Sequence, residues 1–204
     1  LLKAAGIETY PVVLSTRKNG LIRKGYPFQQ FLNYVIVQIK VDEKTYNIDA
    51  TESLLFFSDM PERCINVEGL VVKPKAEEWT YIRQRGASLS IKELTIDILP
   101  EKEQMDVNAN FVGTGYSAYH YRSIYLGKDE NLIKYLKDRN NIDVRDSKIN
   151  LNENNNRLNK PFNFSFAFST PCETNGNKIF INPFCNLSIS NNPFKQTERF
   201  LPID

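Results

Sequence analysis

Apolar and polar residues alternate with a period of two over much of this chain, the spacing of strands that bury one face. The run 34–41 (Tyr-Val-Ile-Val-Gln-Ile-Lys-Val) is β-branched and predicts a strand, turning at Asp42-Glu43-Lys44 into a second strand at 45–48. Residues 7–14 predict another, in which Pro11 suits an edge or a strand start. Strand character returns at 69–72 after an irregular stretch from 49. It then recurs at 89–98 and 105–111, which make a hairpin across Pro100-Glu101-Lys102. Residues 116–126 are bounded by glycines and are expected as a strand, as are 144–151, 161–169, 178–182 and 187–190. Only 129–139 carries a helical stripe, formed by Leu132, Ile133 and Leu136, with Asp129 as its expected cap. The fold class expected is β-rich α+β.

Lys73-Pro74-Lys75-Ala76-Glu77-Glu78 reads as a connector, so the predicted domains are 1–72 and 79–204, joined by 73–78. The opening Leu1-Leu2-Lys3-Ala4-Ala5-Gly6 reads as the last turn of a helix, stopped by a left-handed Gly6. The expectation is therefore that this chain has lost its beginning. The segment 192–204 stops in mid-pattern and gives the same expectation for the end.

Charge and chemistry narrow the functional classes. The chain of 204 residues has 26 basic and 24 acidic side chains, a net charge of +2, which argues against nucleic acid or an anionic membrane surface as partner. No run of eighteen apolar residues predicts a membrane span. Cys64, Cys172 and Cys185 lie far apart without CxxC spacing, and one histidine, His120, completes no zinc set, so neither metal nor cofactor is expected. Cys172 and Cys185 are open to two readings, a disulfide or buried free thiols.

Four aromatic or charged groupings remain. Phe162, Phe164, Phe166 and Phe168 share one strand face, better read as core than as a ligand platform. Tyr116, Tyr119, Tyr121 and Tyr125 do not share one face of a strand, so some are expected to point outward as binding candidates. The loop residues Arg17, Lys18, Arg23 and Lys24 are a second candidate, for an acidic peptide or glycan, against the plainer reading of a solvated loop. His120, among aromatic neighbours, reads as a packed or surface residue rather than a base.

Several words in the first third resemble the transglutaminase-like superfamily, whose papain-like core carries a Cys-His-Asp triad. They are Leu2-Lys3-Ala4-Ala5-Gly6-Ile7, Asn33-Tyr34-Val35-Ile36-Val37 and Asp49-Ala50-Thr51. Pro11-Val12-Val13-Leu14-Ser15-Thr16-Arg17, Tyr26-Pro27 and Leu70-Val71-Val72 narrow the likeness to bacterial multidomain envelope proteins of that superfamily. Gly115-Tyr116-Ser117-Ala118 and Asn192-Pro193-Phe194 extend it loosely. The resemblance implies a partial transglutaminase-like antiparallel sheet, then a β-sandwich-like domain with one helix. It also implies an extracytoplasmic location and a protein or glycan partner, or the rest of a parent chain.

The triad itself is degenerate in this resemblance. Tyr34 stands at the His position, Asp49 remains, and the nucleophile falls before Leu1. A phenol titrating near 10 is no general base at neutral pH. The expected function is a non-catalytic binding or scaffolding segment. The alternatives are the back half of a cysteine peptidase or amide-transfer enzyme and, more weakly, a carbohydrate-binding module.

Overall fold

The computed structural model describes residues 1–22, 24–25, 29–84 and 86–187. It is a β-rich α+β protein, with eleven strands and two α-helices among the described residues. Strands β1 (Glu8–Leu14), β2 (Tyr34–Val41), β3 (Lys44–Ile48), β4 (Val67–Lys73) and β5 (Ala76–Ile82) form one antiparallel sheet in the order β3-β2-β1-β4-β5. Strands β6 (Ser90–Leu99), β7 (Gln104–Gly113), β8 (Asn150–Leu151) and β9 (Phe162–Pro171) form a second, ordered β6-β7-β9-β8. A short hairpin pairs β10 (Glu173–Asn175) with β11 (Lys178–Phe180). The helices are α1 (Gly115–Tyr125) and α2 (Asp129–Asn140).

The alternating pattern translates directly into the first sheet. Val12 pairs with Ile36 and Val71, and Leu14 with Tyr34 and Gly69, so one face carries the apolar set. Val12, Leu14, Ile36, Met60, Cys64, Val71 and Ile82 form its buried cluster, with Tyr10, Tyr34 and Ile65 packed at the margin. At the β2–β3 turn Asp42 and Glu43 both take positive φ, the conformation that matches strand twist in a two-residue hairpin. A two-residue turn also explains residues 73–78, expected as a connector. They are the end of β4, a turn at Pro74 and Lys75 with Lys75 at positive φ, and the start of β5.

The chain divides into two compact units. One comprises Leu1–Lys92, Phe111–Leu126 and Leu151–Phe164; the other comprises Glu93–Asn110, Gly127–Asn150 and the chain from Ser165 onward. In the first, Phe111, Tyr121, Phe162 and Phe164 form an aromatic cluster with ring centroids 5.2–6.4 Å apart. Arg122 is buried beside them, and its guanidinium donates to the carbonyls of Asn155, Arg157 and Lys160, pinning that loop. In the second unit, Met105, Val107, Leu132, Leu136, Ile142, Phe166 and Phe168 are buried. All four phenylalanines of β9 are therefore core residues. Cys64, Cys172 and Cys185 are buried free thiols.

Three local expectations need correction. Residues 116–126 form helix α1, not a strand, and so there are two helices rather than one. Ala118, Tyr121, Arg122 and Tyr125 recur at a helical spacing, and the first three are buried. Gly113 and Gly115 admit the tight entry: a Cβ on Gly113 would lie 2.8 Å from the Ser117 carbonyl carbon, and Gly115 has φ +53°. The strand expected at 144–151 is broken by a turn in which Asp146 and Ser147 take positive φ, leaving only β8 and an isolated bridge from Val144 to Phe168. Helix α2 matches its expected span, but Lys128 occupies the cap position without a side-chain bond. Asp129 and Glu130 instead lie in the first turn, where the helix dipole favours them.

At the opening, Lys3–Ala5 form a single 3₁₀ turn closed by Gly6 at φ +78°. Tyr26-Pro27, the end of the 187–190 segment and the whole of 192–204 lie outside the described residues.

Candidate functional site

The site grows from the end of β3. After Ile48 the chain leaves the sheet, and the Asp49 carboxylate turns back to accept from the Thr51 amide at 2.9 Å, an Asx-type turn. Its other oxygen accepts the Tyr34 hydroxyl at 2.9 Å. The structure thus brings together Tyr34 and Asp49, the two positions singled out in the sequence, as direct hydrogen-bond partners. With its proton given to Asp49, the Tyr34 oxygen receives Arg63 Nη2 at 3.0 Å and lies 3.1 Å from Thr51 Oγ1. Arg63 also sits over the Tyr34 ring, 5.3 Å from its centroid.

Arg63 binds the network together. Nη2 donates to Thr51 Oγ1 at 2.6 Å, Nη1 donates to Glu52 Oε1 at 2.5 Å, and the guanidinium lies 3.8 Å from Asp49. These hydrogen bonds, to Tyr34 first and Glu52 second, raise its pKa further above an already high value. Glu52 completes the chain by accepting the Tyr119 hydroxyl from α1 at 2.9 Å. The bonds from Arg63 and Tyr119 hold the Glu52 carboxyl below its usual range, while the same bond from Glu52 holds the Tyr119 phenol above its own.

Cys64 follows Arg63 directly and is fully buried. Its thiol points to Asp49 Oδ2 at 3.8 Å, so a cysteine and this carboxylate meet inside the chain. Burial first, and the negative charge of Asp49 second, push the thiol up to about 12.

Beside this network lies a cavity of about 310 Å³ lined by Glu52, Leu55, Pro61, Glu62, Arg63, Tyr116, Tyr119 and His120. Helix α1 supplies three of these, at positions i, i+3 and i+4, from the stripe next to its buried one. The Tyr116 hydroxyl donates to the Met60 carbonyl and fixes the helix against the loop. His120 is exposed on the cavity wall, and Asp49 is not among the lining residues. Among the described residues, no group of three or more His, Cys, Asp or Glu side chains is arranged to hold a metal ion, and no helix is long and apolar enough to cross a membrane.

The remaining sequence candidates separate. Tyr121 is a core residue and offers no surface to a ligand, and Tyr125 is half-buried with its ring 5.8 Å from Phe162. Lys24 pairs with Glu68 at 2.7 Å and sits over Trp79, so its charge is offset locally. Arg17 and Lys18 belong to a 3₁₀ turn, Arg17 half-buried and Lys18 exposed. Arg23 lies outside the described residues. None of Arg17, Lys18 and Lys24 lines the cavity. Glu52, Glu62, Arg63 and Cys64 carry no sequence signal as a group, because residues 49–64 follow no period and only the folded loop returns them to Asp49. A helical reading of 115–125 would have set Tyr116, Tyr119 and His120 on one stripe.

No protein-family model, no curated protein and no solved structure matches the chain.

Proposed function

We propose that this chain is a non-catalytic binding or scaffolding segment of a larger extracytoplasmic protein, and that the cavity beside Arg63 is its ligand site. The location rests on the resemblance to bacterial envelope proteins of the transglutaminase-like superfamily. The observation that carries the reading is the state of the groups around Asp49. Its carboxylate is occupied by Tyr34, Thr51 and Arg63, and its neighbouring thiol is held up at about 12. A triad aspartate serves by orienting an imidazole that takes a proton from the nucleophile. Here a phenol takes that place, and it donates to the carboxylate rather than accepting from a thiol. The arrangement is a knot that fixes the loop 49–64, and the half-buried tyrosines beside it offer flat, amphipathic contact area.

Cysteine chemistry is the second reading, favoured by the 3.8 Å approach of Cys64 to Asp49. The two are separated by incubating the whole 204-residue chain with a mixed tryptic peptide pool and a fluorescent amine, and following both cleavage and amine incorporation. The binding reading predicts neither. Turnover that disappears in Cys64→Ala would overturn it.

A further inference from the structure

Asparagine is followed directly by glycine twice in this sequence, at Asn19-Gly20 and at Asn175-Gly176. The pairing matters chemically, because glycine has no side chain to keep its own amide nitrogen from closing on the carboxamide before it. Both asparagines are exposed, so exposure does not separate them; bonding does. Asn19 Nδ2 donates to Ser15 Oγ and to the Phe31 carbonyl, each at 3.2 Å, and the Gly20 amide donates to the Arg17 carbonyl at 3.3 Å. Electrophile and nucleophile are both tied in that pair.

Asn175 ends β10, and Gly176 and Asn177 are the two turn residues before β11. Gly176 takes φ +59° at the first central position of the hairpin turn, where glycine is favoured. Asn175 and Lys178 close the ladder at the turn, which leaves the Gly176 amide outside it. Among the described residues neither that amide nor the Asn175 carboxamide has a hydrogen-bond partner. The base of the hairpin is anchored, the Cys172 amide on the Glu103 carbonyl and the Thr174 hydroxyl on the Glu103 carboxylate. Its tip is not. Strands β10 and β11 pair three residues with three and with no other strand, and so short a ribbon opens readily.

We propose that Asn175 is a site of spontaneous deamidation in the folded chain, and that Asn19 is protected. The Gly176 nitrogen gives up its proton and attacks Asn175 Cγ. An N–Cγ bond forms, the Cγ–Nδ2 bond breaks, and the carboxamide nitrogen leaves with that proton as ammonia. Water then opens the succinimide at either carbonyl to give aspartate or isoaspartate, with nothing oxidised or reduced. Either product places a negative charge at the hairpin tip. Isoaspartate also routes the backbone through an extra methylene and breaks the register of residue 175 with Lys178. The proposal is independent of the binding reading above.

The full chain is incubated at 37 °C and pH 8, and peptides covering both pairs are followed by mass spectrometry, with isoaspartyl methyltransferase marking isoaspartate. In the folded chain residue 175 is expected to convert at least about tenfold faster than residue 19, the spread between a tip that opens freely and a turn held by the fold. In guanidinium chloride, where no fold holds either pair, the two rates should converge. Asn175→Gln, an exposed change that replaces a five-membered closure by a six-membered one, should abolish conversion there and leave Asn19 as it was. Equal rates in the folded chain, faster conversion at Asn19, an intact Asn175 in a folded chain whose unfolded form converts there, or an equally large gap in guanidinium chloride would each overturn the proposal.

Discussion

Asp49 and Asp106 each lie beside an arginine, and they are held for different ends. In the first unit Asp49 has a side chain 3% exposed and stands at the centre of Tyr34, Thr51, Arg63 and Cys64. In the second unit Asp106 on β7 has a side chain 28% exposed, pairs with Arg145 at 2.7 Å and accepts from Ser169 and Gln104. The Asp106 pair is shorter than the 3.8 Å approach of Arg63 to Asp49, yet it is the weaker device. Water screens it from several sides, and exposed pairs of this kind contribute little. Asp49 is itself the group out of contact with water, so its carboxylate depends on the Tyr34 hydroxyl, the Thr51 amide and the nearby Arg63 to offset its own desolvation. Distance alone misleads; what matters is how far each carboxylate lies from water.

The largest test of that difference is Asp49→Ala beside Asp106→Ala. Removing Asp49 takes away the acceptor of the half-buried Tyr34 hydroxyl and the buried carboxylate beside Arg63, and is expected to lower stability by about 2 kcal/mol in urea unfolding. Removing Asp106 is expected to shift the midpoint far less, and equal shifts would break the comparison. A smaller effect is expected at Glu52. Its carboxyl is held below the usual value of 4.5 by Arg63 and Tyr119, so its stabilisation is present above that value and is lost as pH falls through the lower folded one. Wild type should therefore exceed Glu52→Gln in stability at pH 6, and the gap should close toward pH 3; a constant gap would mean that Glu52 contributes through shape rather than charge. Smallest of all is a salt effect. Raising NaCl to about 1 M, where screening acts over roughly 3 Å, should erase the small deficit of Asp106→Asn and leave that of Tyr34→Phe in place. Sensitivity to salt at both positions would say that the Asp49 network is as wet as the other.

Much of this architecture was legible before any coordinates. Strands β1 and β2 follow from their β-branched residues, and β7 and β9 from period two, because each of these last buries one face and a shift of one residue would expose it. The Phe ladder of β9 was legible for the same reason. Helix α1 was not, since Tyr116-Ser117-Ala118-Tyr119-His120-Tyr121 is rich in residues that favour strands. Its helical stripe contains Arg122, buried through three carbonyl bonds that only the folded 155–160 loop supplies. The turn at 74–75 was read as a linker because a charged proline turn and a connector share a composition. At the site, Tyr34 and Asp49 stand out in the sequence only through the resemblance, and the fold supplies the hydrogen bond between them. Arg63, Cys64 and Glu52 were not, because an irregular loop gives no period from which to place side chains.

The central claim is that the sulfur beside Asp49 stays protonated in the working range of pH, and a thiolate titration tests it most directly. In the Cys172→Ser, Cys185→Ser variant, absorbance near 240 nm reports Cys64 alone. Asp49→Asn should lower the transition, because the carboxylate's charge is part of what raises it. The account predicts no thiolate signal between pH 6 and 9 in the folded chain, with full alkylation by iodoacetamide once urea unfolds it. A thiolate that forms near pH 7 in the folded state would contradict it.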